Sequence, residues 1–361
     1  VHSFINKRIK LIMAYTGISK QTDYFNTKIY TGNGSSQSFT GVGFQPDFTW
    51  IKRRGSAEGH SLFDAIRGVT KRLVTNNDSG EATIATSLTA FGSDGFTLGG
   101  NDTVNGSDAY ASWNWKAGTT GSGTTTGSGT GKAYSYSVST TSGFSIVKYL
   151  GNGTGGHTIP HHLGAVPKMI LVKRIDSGNN WTVYHQATGN THGSYLDETA
   201  VPVSSNAFWY NTTPTSSVFT LGDGASVNNS SGTYIAYCFA EKPGFSKIGN
   251  YTGNDNADGV FVYTGFKPSW LMIKKTNSTE NWHIFDVKRN PYYPTSSSYG
   301  GMATRLMANL TNADDLSQGG FEFLSNGLKM TTSWAGGNSG SFIFMAFGQS
   351  LVGSNNVPCT A

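Results

Sequence analysis

Charge is scarce in this chain. Asp, Glu, Lys and Arg make up 13% of its 361 residues, against a usual share of about a quarter, so solubility has to come from Ser, Thr, Asn and exposed backbone. The net charge of +5 owes Lys7, Arg8 and Lys10 to the first twelve positions, and the rest is close to neutral, which speaks against a nucleic-acid footprint. The two cysteines, Cys238 and Cys359, stand far apart in unlike contexts. They offer neither a structural disulfide nor a metal-ligand spacing, and Cys238, inside the apolar run YIAYCFAE, reads as a small buried hydrophobe. No apolar run is long enough to span a membrane, so membrane insertion is not expected. Helical periodicity is lacking throughout. The opening VHSFINKRIKLI has a basic centre without the apolar core and cleavage site of a signal peptide. Met13 looks like a natural start, with residues 1–12 as an extension of the frame or a flexible arm.

In place of these stand 47 glycines and a threefold internal pattern. Pro46-Asp-Phe-Thr-Trp-Ile-Lys52, Pro167-Lys-Met-Ile-Leu-Val-Lys173 and Pro268-Ser-Trp-Leu-Met-Ile-Lys274 share one spacing, and eleven residues after each lysine come Phe63, Tyr184 and Phe285. A short run of aromatic and β-branched residues entered by proline is a strand whose first residue needs no ladder donor. The Gly, Ser, Asn and Glu residues that follow turn it into a β-hairpin with a loop of about five residues. Each unit begins alike, at Tyr24–Gly34, Gly143–Gly153 and Gly244–Asp255. Each ends with a second pair, SDGFTLG, SSVFTLG or SNGLKM, followed by a closing strand at Tyr110, Tyr234 or Phe342. Apolar residues on both faces make that strand central in its sheet.

The expected fold is all-β, with three tandem jelly-roll-like β-sandwich repeat domains at residues 24–118, 143–242 and 243–350. Residues 1–23 form an N-terminal arm and 351–361 a fraying tail. The stretch 119–142 opens with a Gly/Ser/Thr segment read as a flexible linker and closes with Ala133–Val138 read as an extra edge strand. Each sandwich is expected to be autonomous. The expected core is Trp50, Ile51, Phe63, Phe96, Trp113, Val172, Tyr184, Phe219, Tyr237, Ile273, Phe285 and Phe344.

Several constellations tempt toward chemistry. Gly127–Lys132 lacks the first glycine of a phosphate loop and has no helix after its lysine. His157, His161 and His162 surround Pro160, which forbids the helix that would pair them on a metal, and they read as turn residues. Asn254–Gly259 starts like a calcium loop, but Gly265 falls where a bidentate Glu is needed, leaving calcium the weaker alternative to a plain turn. Asp64 with Arg67, and Asp286 with Arg289, read as ion pairs closing the turn after the hairpin. With 21 acids spread thinly, no carboxylate pair suits general acid and base work; no enzyme and no cofactor is expected.

YTGNG, GFQPDFTWIKRR, HSLFDAIRG, SDGFTLGG, GFSKIGNYTGND, GVFVYTGFKPSWLMIKK and SGTYIAYCFAEK together carry a likeness. From Tyr24 to about Ser350 the chain resembles a family of repeat proteins of tailed bacteriophages from marine and freshwater bacteria, tail-fibre-like in kind. The resemblance implies a virion structural protein, either a tail-associated adhesin or fibre or a capsid or tail decoration protein, assembled in the host cytoplasm beside other virion proteins. It brings no catalytic residues. Fibre-like parts attach by symmetry and gain from multivalency, so a homotrimer is expected. Aromatics in polar, turn-like surroundings suggest host-surface glycan as ligand. Trp209, Tyr210, Tyr292, Tyr293 and Trp334 are the candidates, whereas Trp181 and Trp282 recur at one hairpin position and read as covers of the sandwich.

Overall fold

A computed structural model describes residues 17, 18, 20–289, 304–316 and 320–350. Pro46, Pro167 and Pro268 stand where the sequence puts them, at the entrance of a strand. Unit 1 contains β1 (Phe25–Thr31), β2 (Gln37–Phe39), β3 (Phe48–Arg53), β4 (Ser61–Asp64), β5 (Lys71–Arg72), β6 (Ala82–Thr83), β7 (Leu88–Gly92), β8 (Gly95–Leu98) and β9 (Ala109–Trp115). The expected linker carries β10 (Thr119–Thr124), β11 (Thr126–Gly127) and β12 (Ala133–Ser139). Unit 2 holds β13 (Phe144–Leu150), β14 (His157–Pro160), β15 (Met169–Arg174), β16 (Thr182–His185), β17 (His192–Tyr195), β18 (Val203–Ser204), β19 (Val218–Leu221) and β20 (Thr233–Phe239). Unit 3 holds β21 (Ser246–Asn254), β22 (Phe261–Tyr263), β23 (Pro268–Lys275), β24 (Trp282–Asp286), β25 (Leu306–Met307), β26 (Phe321–Leu324), β27 (Gly327–Met330) and β28 (Ser339–Gly348).

The protein is all-β, built from antiparallel sheets. One strand order recurs in the large sheets: β1-β9-β3-β4, then β13-β20-β15-β16 within an eight-stranded sheet, then β21-β28-β23-β24. A three-stranded sheet accompanies each: β2-β8-β7, β11-β14-β19 and β22-β27-β26. A one-turn helix, too short to leave a helical period in the sequence, precedes each closing strand (Asp102–Asn105, Ala225–Asn228, Ala335–Asn338). Its last residue, Asn105, Asn228 or Asn338, is buried and donates back to the carbonyls of Gly99, Gly222 or Thr332.

All of the expected core residues are buried, but they divide between two kinds of core. In β20, Tyr234, Ala236 and Cys238 face the core of unit 2 itself, while Ile235, Tyr237 and Phe239 join a cluster drawn from all three units. The same period of two splits β28 into Phe342, Phe344 and Ala346 on one side and Ile343, Met345 and Phe347 on the other. Rings from different units meet in the shared cluster: Phe25 stacks on Phe347 at 4.7 Å, Phe48 on Tyr237 at 4.4 Å, and Trp115 meets Trp270 edge-on at 5.8 Å. The expectation of autonomous sandwiches is therefore corrected, because each large sheet buries its second face against the other two.

Polar side chains at like positions close the ring in one direction. Lys52 donates to the carbonyl of Thr311, Lys173 to that of Asp78 and Lys274 to that of Thr199, so unit 1 reaches to 3, unit 2 to 1 and unit 3 to 2. The hairpin position of Trp181 and Trp282 repeats the cycle. Trp181 Nε1 donates to Val74 O, Trp282 Nε1 to Tyr195 O, and His60, the residue of unit 1 there, has Nε2 2.9 Å from Met307 O. The buried Asp64–Arg67 and Asp286–Arg289 pairs, each at 2.5 Å, close their turns and also receive Tyr237 Oη and Trp113 Nε1 from the next unit.

The linker reading of Gly118–Gly131 is also overturned. β10 pairs with β12 along its length, and β12, expected at the edge, lies second from it between β10 and β13. Glycine permits this pairing. The rings of Tyr136 and Tyr134 lie across Gly121 and Gly123, where a Cβ would come within 2.6 and 2.8 Å of them, an aromatic cover that supplies the contact glycine lacks.

Two outcomes follow from the shared core. Phe347→Ala, at the meeting of all three units, is expected to cost about 3–5 kcal/mol and to shift one cooperative calorimetric transition; separate transitions for separate units would contradict the ring. Burial pulls the ammonium groups of Lys52, Lys173 and Lys274 down to about 8 from an ordinary 10.5. The unfolded chain then binds more protons from pH 8 upward, so unfolding free energy should rise with pH. The rise stops near pH 10, where the phenols of Tyr30, Tyr149, Tyr237 and Tyr251, pushed up by burial, begin to oppose it. Urea titrations at pH 7.5 and 9.5 read the difference, which Lys173→Met should reduce by roughly a third.

Candidate ligand-binding face

The aromatic residues singled out in the sequence do not form one site. Trp209 ends a one-turn helix (Asn206–Trp209) that is N-capped by Ser205. Its ring is buried in the core of unit 2, with Nε1 donating to His192 O at 3.0 Å and Tyr184 edge-on at 5.7 Å. Its assignment to a glycan surface is corrected. Trp334 is half-buried against the core of unit 3. Gly336 and Gly337 lie against its ring, and the guanidinium of Arg305 stands 5.2 Å from its centroid, so the ring is engaged within the protein. Tyr210 is 49% exposed. It takes a left-handed φ of 50° and lies over Gly155, alone among the described candidates in offering a ring to solvent. Tyr292 and Tyr293 lie outside the described residues, as do Cys359, residues 1–16 of the expected arm and the tail 351–361.

A different aromatic face emerges from the strand register. Phe39 pairs with Phe96, Ile159 with Phe219 and Val262 with Leu328, which aligns the buried centres of β2, β14 and β22. The flanking residues point outward. In unit 1 they are Ser38 and Thr40, and in unit 2 Thr158 and Pro160. Ser38 Oγ meets Thr97 Oγ1, and Thr158 Oγ1 meets Thr126 Oγ1, each at 2.9 Å. In unit 3 the same positions are Phe261, 45% exposed, and Tyr263, 57% exposed, with Leu324 of β26 completing the outer face. The Phe261 ring lies across Gly327, where a Cβ would come 2.7 Å from Cζ. A missing side chain thus lets the ring lie flat on the sheet.

The rim of this face is polar. Lys329 Nζ sits 2.6 Å from Asp258 Oδ1, and hydrogen bonding and charge from Lys329 lower the Asp258 pKa. Asp258 closes a turn in which its N–H donates to Asn256 Oδ1 and its carbonyl accepts from Asn254 Nδ2. This is the segment that starts like a calcium loop. Among the described residues no group of three or more His, Cys, Asp or Glu is placed to hold a metal ion. His157, His161 and His162 bond separately, His157 Nδ1 to Asn152, His161 Nε2 to Thr215 O and His162 Nε2 to Tyr134 Oη. Cys238 is buried, and desolvation pushes its thiol pKa far up.

Sequence reasoning passed over Phe261 and Tyr263, although the alternation Val260-Phe-Val-Tyr263 held the signal. A strand with Val262 inward must put both rings outward.

Sheets packed in pairs, with one aromatic outer face among three, define the molecule as an all-β protein of sandwiched antiparallel sheets. The chain belongs to the family described as a domain of unknown function, DUF7483, whose profile matches residues 20–350. No curated protein matches it.

The different settings of Trp209 and Tyr210 are separable by calorimetry. Trp209→Ala is expected to destabilise by about 3–5 kcal/mol, whereas Tyr210→Ala should stay within about 0.5 kcal/mol of wild type. Equal shifts would contradict the burial of Trp209.

Proposed function

We propose that the protein is a virion structural component, a tail-associated fibre or adhesin that binds host-surface glycans without cleaving them. The carrying observation is the outer face of β22 and β27, where Phe261 stands in place of Ser38 and Thr158, and Tyr263 in place of Thr40 and Pro160. Flat rings offered to solvent beside amides and charges suit the apolar face of a sugar, with Asn and Lys groups taking its hydroxyls. The phage resemblance supplies the setting on the particle, after assembly in the host cytoplasm.

Among the described residues the aromatic face occurs once in each chain, so avidity has to come from several copies, and a homotrimer serves that need. Purified protein incubated with host cells or a glycan array, beside the double variant Phe261→Ser with Tyr263→Thr, tests the reading. The variant restores the residues of unit 1 and should keep its thermal transition while losing binding at least about tenfold. Binding by wild type and variant alike would remove the face from the site. No binding by the assembled wild-type oligomer would favour a purely structural decoration role on capsid or tail.

A further inference from the structure

β1, β13 and β21 are the first strands of the four-strand order that recurs in the three large sheets. Pairing of Thr27 with Trp113, Ile146 with Tyr237 and Ile248 with Met345 puts those three residues at like positions. Lys116 N–H donates to Tyr24 O and Gly32 N–H to Asp108 O, so the intervening Phe25, Thr27, Ile29 and Thr31 turn their main-chain groups away from β9. The corresponding edge of unit 2 is filled, and that of unit 3 is capped at Ile248. β12 fills the edge of β13, with Ser137 opposite Ile146 and Ser135 opposite Lys148. Side chains cap the edge of β21, Glu241 Oε1 accepting from Ile248 N–H at 2.8 Å and Gln186 Nε2 donating to Ile248 O at 2.5 Å. β1 has neither device. Among the described residues its only strand neighbour is β9, and no side chain among them bonds the outward groups of Thr27, Ile29 and Thr31. Along it, between units 1 and 3, runs a cleft of about 420 Å³ with Phe25 and Val287 as apolar lining and Ser269, Lys288 and Gln349 as polar lining.

We propose that the edge of β1 takes up an extended strand of a partner protein, one that alternates bulky and small hydroxyl side chains as Tyr134-Ser-Tyr-Ser-Val138 does. The filled edge of unit 2 shows the chemistry such an edge accepts. There Ser135 and Ser137 face the seam, while Tyr134, Tyr136 and Val138 pack with the core of the unit. A second copy of β1 fits less well, because antiparallel pairing centred on its middle residue, Lys28, sets two like charges opposite each other. Strand addition draws its affinity from main-chain hydrogen bonds and its selectivity from alternate side chains. The proposal is independent of the aromatic face on unit 3.

A synthetic peptide of residues 132–140, added to the full-length protein, is the probe. It is expected to bind one to one and to slow amide exchange at Thr27, Ile29 and Thr31 by about tenfold or more. The same peptide N-methylated at Ser135 and Ser137 lacks the pairing donors and should bind at least about tenfold more weakly. Ile29→Pro, which removes one outward N–H at a position where an edge tolerates proline, should weaken the unmodified peptide similarly, and Asn250→Pro in β21 should not. No binding, protection confined to Ser246–Asn254, or equal binding of the methylated peptide overturns the proposal. A dimer of the free protein that Ile29→Pro dissolves would also overturn it, by giving the edge to a second copy.

Discussion

A buried lysine that takes one of its two acceptors from the neighbouring unit is the constraint on which this ring depends. Lys52, Lys173 and Lys274 are fully buried, and an ammonium taken from water without partners carries a penalty of several kcal/mol. Each solves this with two carbonyls, one of its own hairpin loop and one of the next unit. A unit standing alone would expose or orphan that charge. The indoles of Trp181 and Trp282 and the imidazole of His60 repeat the argument with neutral donors, each needing a carbonyl from across a seam.

The apolar arrangement follows from the same closure. A sheet of four or five strands with one buried face would need polar residues on the other, yet β20 and β28 are apolar on both. Cyclic docking gives the second face its cover, since three such faces meet in one cluster that holds Phe25, Trp115, Trp270, Phe239 and Phe347. This also bears on the scarcity of charge. Much of what would be solvent-facing surface in a free sandwich is interior here, and the remaining outer faces of units 1 and 2 are kept wet by Ser and Thr hydroxyls such as Ser38, Thr97, Thr126 and Thr158.

Local structure was largely legible in the sequence. Proline at the strand entrance, the hairpin loop and the period-two closing strand each depend on neighbours close in the chain, and the structure has them at Pro46, Pro167 and Pro268. What could not be read was which of two cores a residue faces. Trp113 and Tyr110 have the same burial and differ only in partner, a matter of contacts more than a hundred residues away in sequence. Gly118–Gly131 misled for a related reason. Glycine alone implies a linker, whereas β10 pairs with β12 along its length and the rings of Tyr134 and Tyr136 lie across its glycines. The candidate site failed at Trp209 because polar sequence neighbours such as Asn211 say little about a side chain at the end of a one-turn helix, where one residue turns inward and the next outward.

Internal likeness offers its own standard for locating function. Where three units solve the same packing problem, a position that keeps one residue type in two of them and changes in the third is freed from that problem or recruited to another. Val262 cannot change freely, since it pairs with Leu328 inside the core, and it stays apolar like Phe39 and Ile159. Its neighbours Phe261 and Tyr263 stand on the solvent side, where Ser38 and Thr40 in unit 1 and Thr158 and Pro160 in unit 2 suffice for the fold, and large rings there leave apolar area in water at a cost of roughly 25 cal/mol per Å². Folding gains nothing evident from that exposure, so a ligand that covers the rings is the economical explanation of why they are there.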